Sequence, residues 1–210
     1  QTESDGVEIP ESAQPTNSTA NNDPRPGYKN TELGEIPDDW EVVELGTVLS
    51  IRHGRDQKQI EVTDGKYPVL ATGGEIGRTD SYLYDKPSVL IGRKGTINKP
   101  RYIDSPFWTV DTLFYSEVKN NVDAKFVYYK FCLVDWMIYN EASGVPSLNA
   151  TTIERVVQSF PTNKQEQVAI ANVLSDMDKE IDSFQHRLSK TKNLKQGMMQ
   201  ELLTGRTRLV

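Results

Sequence analysis

A chain of 210 residues with a formal net charge of −6 has room for one domain, or for a domain with an appendage, and it is not basic throughout. Its single cysteine, Cys132, excludes an intrachain disulfide and suits the reducing cytoplasm. No run approaches the roughly 18 apolar residues of a membrane span, and the N-terminus lacks the basic and apolar regions of a signal peptide. The sequence starts at Gln1 rather than Met, as expected of a fragment or a processed chain.

Residues 1–27 are rich in Asn, Ser, Thr, Pro and Glu, with Glu3, Asp5, Glu8, Glu11 and Asp23 set against Arg25 alone. Such a segment buries too little apolar surface to offset its ordering entropy, so it is expected to be a disordered tail. Order is expected from Tyr28, in a head running over residues 28–162. Gly34 to Trp40 mixes turn formers with a large aromatic anchor, and Val42–Leu45 and Val48–Ile51 are short apolar pieces followed by the polar loop Arg52-His53-Gly54-Arg55. Tyr67–Ala71 and Ser88–Ile91 read as strands, each running at once into glycine. Phe107–Tyr115 reads as another strand, Phe126–Asn140 as a helix that buries Cys132, and Ser143–Asn149 as a loop. The expected class is α+β with a mixed, twisted sheet.

Residues 163–210 differ in kind. Pro161 closes the preceding segment, Asn163 can cap a helix with Glu166 three residues on as in a capping box, and Gly205 is a natural stop. Between them Ile170, Leu174, Met177, Ile181, Phe184 and Leu188 alternate in steps of four and three, the repeat of a coiled coil. Beyond Leu188 the apolar line passes to Leu194, Met198 and Leu202. About 40 residues at 1.5 Å each make a rod of roughly 60 Å. An apolar seam of that length needs a partner, and two copies of the chain can supply it. An antiparallel pair would set the two heads at opposite ends of the rod, whereas a parallel pair would set them side by side.

Two stretches carry candidate chemistry. Thr72-Gly73-Gly74-Glu75-Ile76-Gly77-Arg78 has three glycines after a strand but neither the GxGxxG spacing nor a P-loop GK[ST] ending, so a tight turn is the better reading than a nucleotide site. Lys86 to Tyr102 holds Lys86, Arg93, Lys94, Lys99 and Arg101 with no acid, interleaved with Gly92 and Gly95. A solvated turn is the plain reading of a charge run. Five cations without an acid in 17 residues favour a flexible basic loop whose side chains reach phosphates and base edges. The candidate nucleic-acid contacts are Arg93, Lys94, Thr96, Lys99, Arg101 and Tyr102, with Thr72, Gly73, Gly74, Arg78, Ser147 and Asn149 beside them. With His53 and His186 the only histidines, no zinc site is expected, and no carboxylate pair takes an acid-base role from spacing.

Taken in order, Gly34–Trp40, Tyr67-Pro68-Val69 running into Thr72–Gly77, Val89–Thr96, Phe107–Thr112, Pro146-Ser147-Leu148-Asn149, Glu166-Gln167 with Ile170-Ala171, and Met199–Gly205 resemble the specificity subunit of type I restriction-modification systems. The resemblance runs from about Tyr28 to Arg208. It implies that the head is a target recognition domain reading one half of a bipartite duplex DNA sequence. It implies that the long helix is a spacer that docks an adenine methyltransferase and, through it, an endonuclease and translocase. The subunit itself would do no chemistry; S-adenosylmethionine, Mg and ATP would belong to the partners. Members of the family usually carry two recognition domains and two spacers, so one of each resembles a half subunit. Two other readings stay open: a coiled-coil protein scaffold that does not bind DNA, and a recognition module detached from a fused restriction-methylation enzyme.

Overall fold

A computed structural model describes residues 23–209; the expectation for residues 1–22 lies outside them. Eleven strands are present among the described residues: β1 (Tyr28–Thr31), β2 (Gly34–Pro37), β3 (Trp40–Glu44), β4 (Leu49–His53), β5 (Tyr67–Ala71), β6 (Gly74–Thr79), β7 (Ser88–Gly92), β8 (Arg101–Ile103), β9 (Trp108–Thr109), β10 (Leu113–Val118) and β11 (Val157–Pro161). The helices are α1 (Ala124–Leu133), α2 (Ala150–Glu154) and α3 (Lys164–Leu203). The class is α+β, as expected, but the strands form four small sheets rather than one. The largest has the order β4-β10-β7-β8 and is antiparallel throughout; the parallel pairing is β5 with β9, inside the sheet β6-β5-β9.

Alternation along the central strands sorts the core into two clusters. Val89, Ile91 and Phe114 face α1 with Leu49, Ile51, Phe126, Phe131 and Trp136. Leu90, Leu113 and Tyr115 face the other way, onto Leu70 and Phe107. Ser88 and Ser116 are fully buried and satisfied: Ser88 Oγ donates to Ser116 O at 2.8 Å and accepts from Ser116 N at 3.0 Å, and Val89 N donates to Ser116 Oγ at 2.8 Å.

Several expected elements are divided. The helix expected over Phe126–Asn140 stops at Leu133; Val134 is extended, and a 3₁₀ turn follows at Trp136–Tyr139, capped by Asp135. The cause is Trp136, which is buried and donates its indole N–H to Phe131 O at 2.8 Å, taking up a carbonyl at the helix end. Cys132, on the last turn of α1, is exposed rather than buried. The strand expected over Phe107–Tyr115 is interrupted by a turn, closed by Leu113 N to Val110 O at 3.0 Å, that lets β9 join β5 and β10 join β7. Nor is the basic stretch a free loop, because it runs through β7 and ends in β8.

Arg25, inside the expected tail, makes an ion pair with Glu35 at 2.8 Å and lies over the Tyr28 ring at 4.3 Å. Its hydrogen bonds hold the Glu35 carboxyl below its ordinary pKa.

Helix α3 begins where Asn163 Oδ1 accepts from Gln165 N at 2.8 Å. Glu166 closes no capping box; it accepts from the Trp40 indole at 3.0 Å, tying the helix to β3. Gln167, 2% exposed, accepts from Asp123 N at 2.9 Å and donates to Pro161 O at 2.9 Å. One turn and two turns on, Ala171 and Ser175 are buried, with Ser175 Oγ accepting from Lys125 Nζ at 2.8 Å. Asp178 accepts from Tyr129 OH at 2.7 Å, and desolvation together with this carboxylate raises the phenol's pKa. The stripe facing the head is therefore Gln167, Ala171 and Ser175, and the apolar seam runs beside it. Ile170 packs on the core and Leu174 is half-buried, while Met177, Ile181, Phe184 and Leu188 are 51–59% exposed. Leu194 and Met198 are exposed too, and with Leu202 they line an apolar groove near the helix end. No helix among the described residues is long and apolar enough to cross a membrane.

Candidate nucleic-acid interface

The pairing register brings most of the candidate residues to one end of the head. β4 ends at His53 opposite Phe114, β7 ends at Gly92 opposite Leu113, β8 starts at Arg101 opposite Leu90, and β5 turns into β6 through Ala71 opposite Gly74. The connections between these strand ends are stitched together. Thr72 Oγ1 donates to Thr112 O at 2.5 Å, and Arg93 N and Lys94 N donate to the same carbonyl at 2.9 and 3.3 Å. Gly95 N donates to Pro146 O at 2.8 Å and Leu148 N to Arg93 O at 2.9 Å. Two glycines make this packing possible. A Cβ on Gly92 would lie 2.3 Å from Thr96 O, and Gly74 turns the β5–β6 hairpin at φ +134°.

The candidates then separate by what they already touch. Lys94, Thr96 and Lys99 are exposed, and among the described residues neither ammonium has an ion-pair partner. Arg93 is paired with Asp111 at 2.5 Å. Arg78 is occupied by Gly65 O at 2.6 Å, Lys66 O at 2.9 Å and Glu75 at 3.0 Å, so it closes its own hairpin. Arg101 is partly buried and donates to Ala71 O at 2.6 Å; burial lowers its pKa. Gly73 lies exposed in the hairpin turn, Ser147 bridges to Lys94, and Asn149 caps α2 by accepting from Thr151 N at 2.9 Å.

Tyr102 does not join this group. Adjacent strand residues point to opposite faces, so Arg101 shares the Leu90 face and Tyr102 shares the Val89 face. There its ring meets the Lys125 ammonium at 5.3 Å and the Tyr128 ring at 6.2 Å, and desolvation raises the Tyr102 phenol's pKa. Lys86 precedes β7, at the other end of that strand, beside Lys119 and Lys164.

The sequence reading passed over His53, Arg55 and Glu141. His53 stacks edge-on against Phe114 at 4.9 Å, in a cleft with Arg93, Ser147 and Glu141. Arg55 is held by its backbone N–H to Thr109 O at 2.8 Å, next to Gly54, where a Cβ would lie 2.2 Å from Val110 O. The run Arg52-His53-Gly54-Arg55 at a strand end was the available signal for the first two. Among the described residues no group of three or more His, Cys, Asp or Glu side chains could hold a metal ion.

The fold is thus a head of small sheets, with Arg93, Lys94 and Lys99 at its loop end, joined to the long helix α3. Residues 37–193 match the family model described as the type I restriction modification DNA specificity domain, and the chain belongs to that family. The chain is 24% identical over 191 residues to the type I restriction enzyme MjaVIII specificity subunit of Methanocaldococcus jannaschii, covering 84% of this chain and 45% of that one. Among solved structures, it resembles the type I restriction-modification S subunit of M. genitalium at a TM-score of 0.59 and 20% identity, covering 77% of this chain and 45% of that one. It also resembles the HsdS subunit of Thermoanaerobacter tengcongensis at a TM-score of 0.61 and 12% identity, covering 84% and 47%. The chain thus spans about half the length of these relatives. The M. jannaschii relative is named as a specificity subunit, the family that the residue patterns resemble.

Proposed function

We propose that the chain binds duplex DNA through the loop end of its head, reads one half of a bipartite target there, and directs an adenine methyltransferase and an endonuclease to it through α3. The observation that carries this reading is the surface built from residues 72–74, 93–99 and 146–149. It leaves Lys94 and Lys99 unpaired while the neighbouring guanidinium groups are held by acids or carbonyls. Phosphates are the natural counter-charge for such ammonium groups. Catalysis, with S-adenosylmethionine, Mg and ATP, belongs to the partner subunits in the cytoplasm.

A second copy covers the seam of α3 in this reading, and the charge along the helix supports an antiparallel pair. Residues 164–182 carry Lys164 and Lys179 against Glu166, Asp176, Asp178, Glu180 and Asp182; residues 183–203 carry Arg187, Lys190, Lys192 and Lys195 against Glu201 alone. Antiparallel pairing sets the acidic half of each helix against the basic half of the other, whereas parallel pairing sets like against like. The two heads then stand at opposite ends, and two-fold symmetry gives inverted half-sites separated by a gap.

Binding of the whole chain to a mixed-sequence duplex, followed across salt concentration, tests the DNA reading. Affinity should fall linearly on logarithmic axes, by roughly 0.9 decades per decade of salt for each phosphate contacted. Absence of binding, or binding indifferent to salt, would favour the protein-scaffold reading instead.

A further inference from the structure

Above the buried side chains of Phe114 and Leu148 lies a cleft of about 310 Å³, walled by His53, Arg93, Glu141 and Asn149. Its electrostatics are unusual for a surface that meets phosphates. Arg93 and Lys94 line it together with Glu141, yet Arg93 pairs with Asp111, and among the described residues neither Lys94 nor Glu141 makes an ion pair.

That carboxylate is also held in place. Glu141 Oε1 accepts from Thr152 Oγ1 at 2.7 Å, and Glu141 N donates to Ser147 O at 3.0 Å. The loop behind it is closed by Asn140, whose Oδ1 accepts from Ala142 N at 3.1 Å and Ser147 N at 2.9 Å and whose Nδ2 donates to Ala142 O at 2.8 Å. In the same lining, Asn149 spends its Oδ1 on capping α2, which leaves its amide N–H groups as donors. Among the groups of this lining, Glu141 Oε2 is thus a held acceptor and Asn149 Nδ2 a held donor.

A fixed carboxylate at a DNA-facing end is repelled by phosphate unless it meets a hydrogen-bond donor. The donors that the major groove presents are the exocyclic amino groups, N4 of cytosine and N6 of adenine. We propose that this cleft reads one base pair of the target, with Glu141 accepting from an exocyclic amino group in the major groove and Asn149 placed to donate beside it. The proposal rests on the DNA-binding reading above and makes Glu141 a specificity determinant rather than an affinity determinant.

The test is enrichment of binding sites from a random-sequence duplex library by the whole chain, with wild type, Glu141→Ala and Thr152→Val compared. Wild type should enrich a motif with cytosine or adenine strongly preferred at one position, and the base found distinguishes the two amino groups. Glu141→Ala should lower that preference by roughly 5- to 150-fold, leave the other positions unchanged, and bind unselected duplex at least as well as wild type. Thr152→Val keeps the carboxylate but frees it, and should lower the same preference by less. If both variants enrich the wild-type motif at every position, the cleft does not read bases. If wild type enriches nothing and binds no duplex in a salt-dependent manner, the DNA-binding reading itself has failed.

Discussion

Between Lys164 and Asp178 the long helix is tied to its own head through Glu166, Gln167, Ser175 and Asp178; between Lys179 and Leu203 the large apolar side chains Ile181, Phe184, Leu188, Leu194 and Met198 stand exposed. Backbone and capping are continuous across the two halves, so helix propensity does not separate them. What separates them is the chemistry of the buried stripe. Small and polar side chains let α3 approach α1 closely and exchange specific hydrogen bonds, which fixes the angle at which the rod leaves the head. Large apolar side chains on the adjacent face hold no internal partner and suit a neighbour that packs along the axis. One helix therefore carries a rigid joint and an open interface.

The comparison breaks most visibly at the open interface. Replacing Ile181 and Phe184 together with Asp should weaken self-association roughly 100-fold, about 2.7 kcal/mol, and leave the melting temperature of the head unchanged, as sedimentation and calorimetry would show. Leu174 is a poorer probe of pairing because it is already half-buried. At the joint the sign reverses. Gln167→Ala strips partners from Asp123 N and Pro161 O, and chemical denaturation should show a loss of about 2 kcal/mol with pairing of the open half retained.

The joint was also the part least legible in the sequence. The apolar seam announced itself by its period and size, but Gln167, Ala171 and Ser175 follow the same helical period with nothing in their chemistry to mark burial. Strands Tyr67–Ala71 and Ser88–Gly92 were readable because apolar runs ended in glycine, and α3 because Asn163 and Gly205 bracket it. The helix over Phe126–Asn140 and the strand over Phe107–Tyr115 were read too long. Each run is mostly apolar, and a tertiary contact, the Trp136 indole in one and the transfer from β5 to β7 in the other, divides it. The candidate interface was legible where charges cluster along the chain, at Arg93 to Lys99. Glu141 and His53 reach the same cleft from distant positions, and no local pattern records that meeting.

Two smaller effects sharpen the contrast between the loop end and the joint. Lys94→Ala and Lys99→Ala should each reduce duplex affinity about fivefold near 0.15 M salt and flatten the salt slope by about 1, evenly across sequences. Neither should change the melting temperature, because neither side chain bonds to the fold. Trp40→Phe removes the indole donor to Glu166. It should cost about 0.5 to 1 kcal/mol of stability and leave duplex affinity of the folded protein intact, by the same binding titration.

The claim that the loop end of the head is the surface that meets DNA is tested most directly by backbone hydrogen exchange of the whole chain with and without a duplex. Added protection is expected at residues 72–75, 92–99 and 141–149, with none at the joint over residues 164–175. Protection confined to α3 or to the β1–β2 hairpin, with the loop end exchanging as in the free protein, would contradict it.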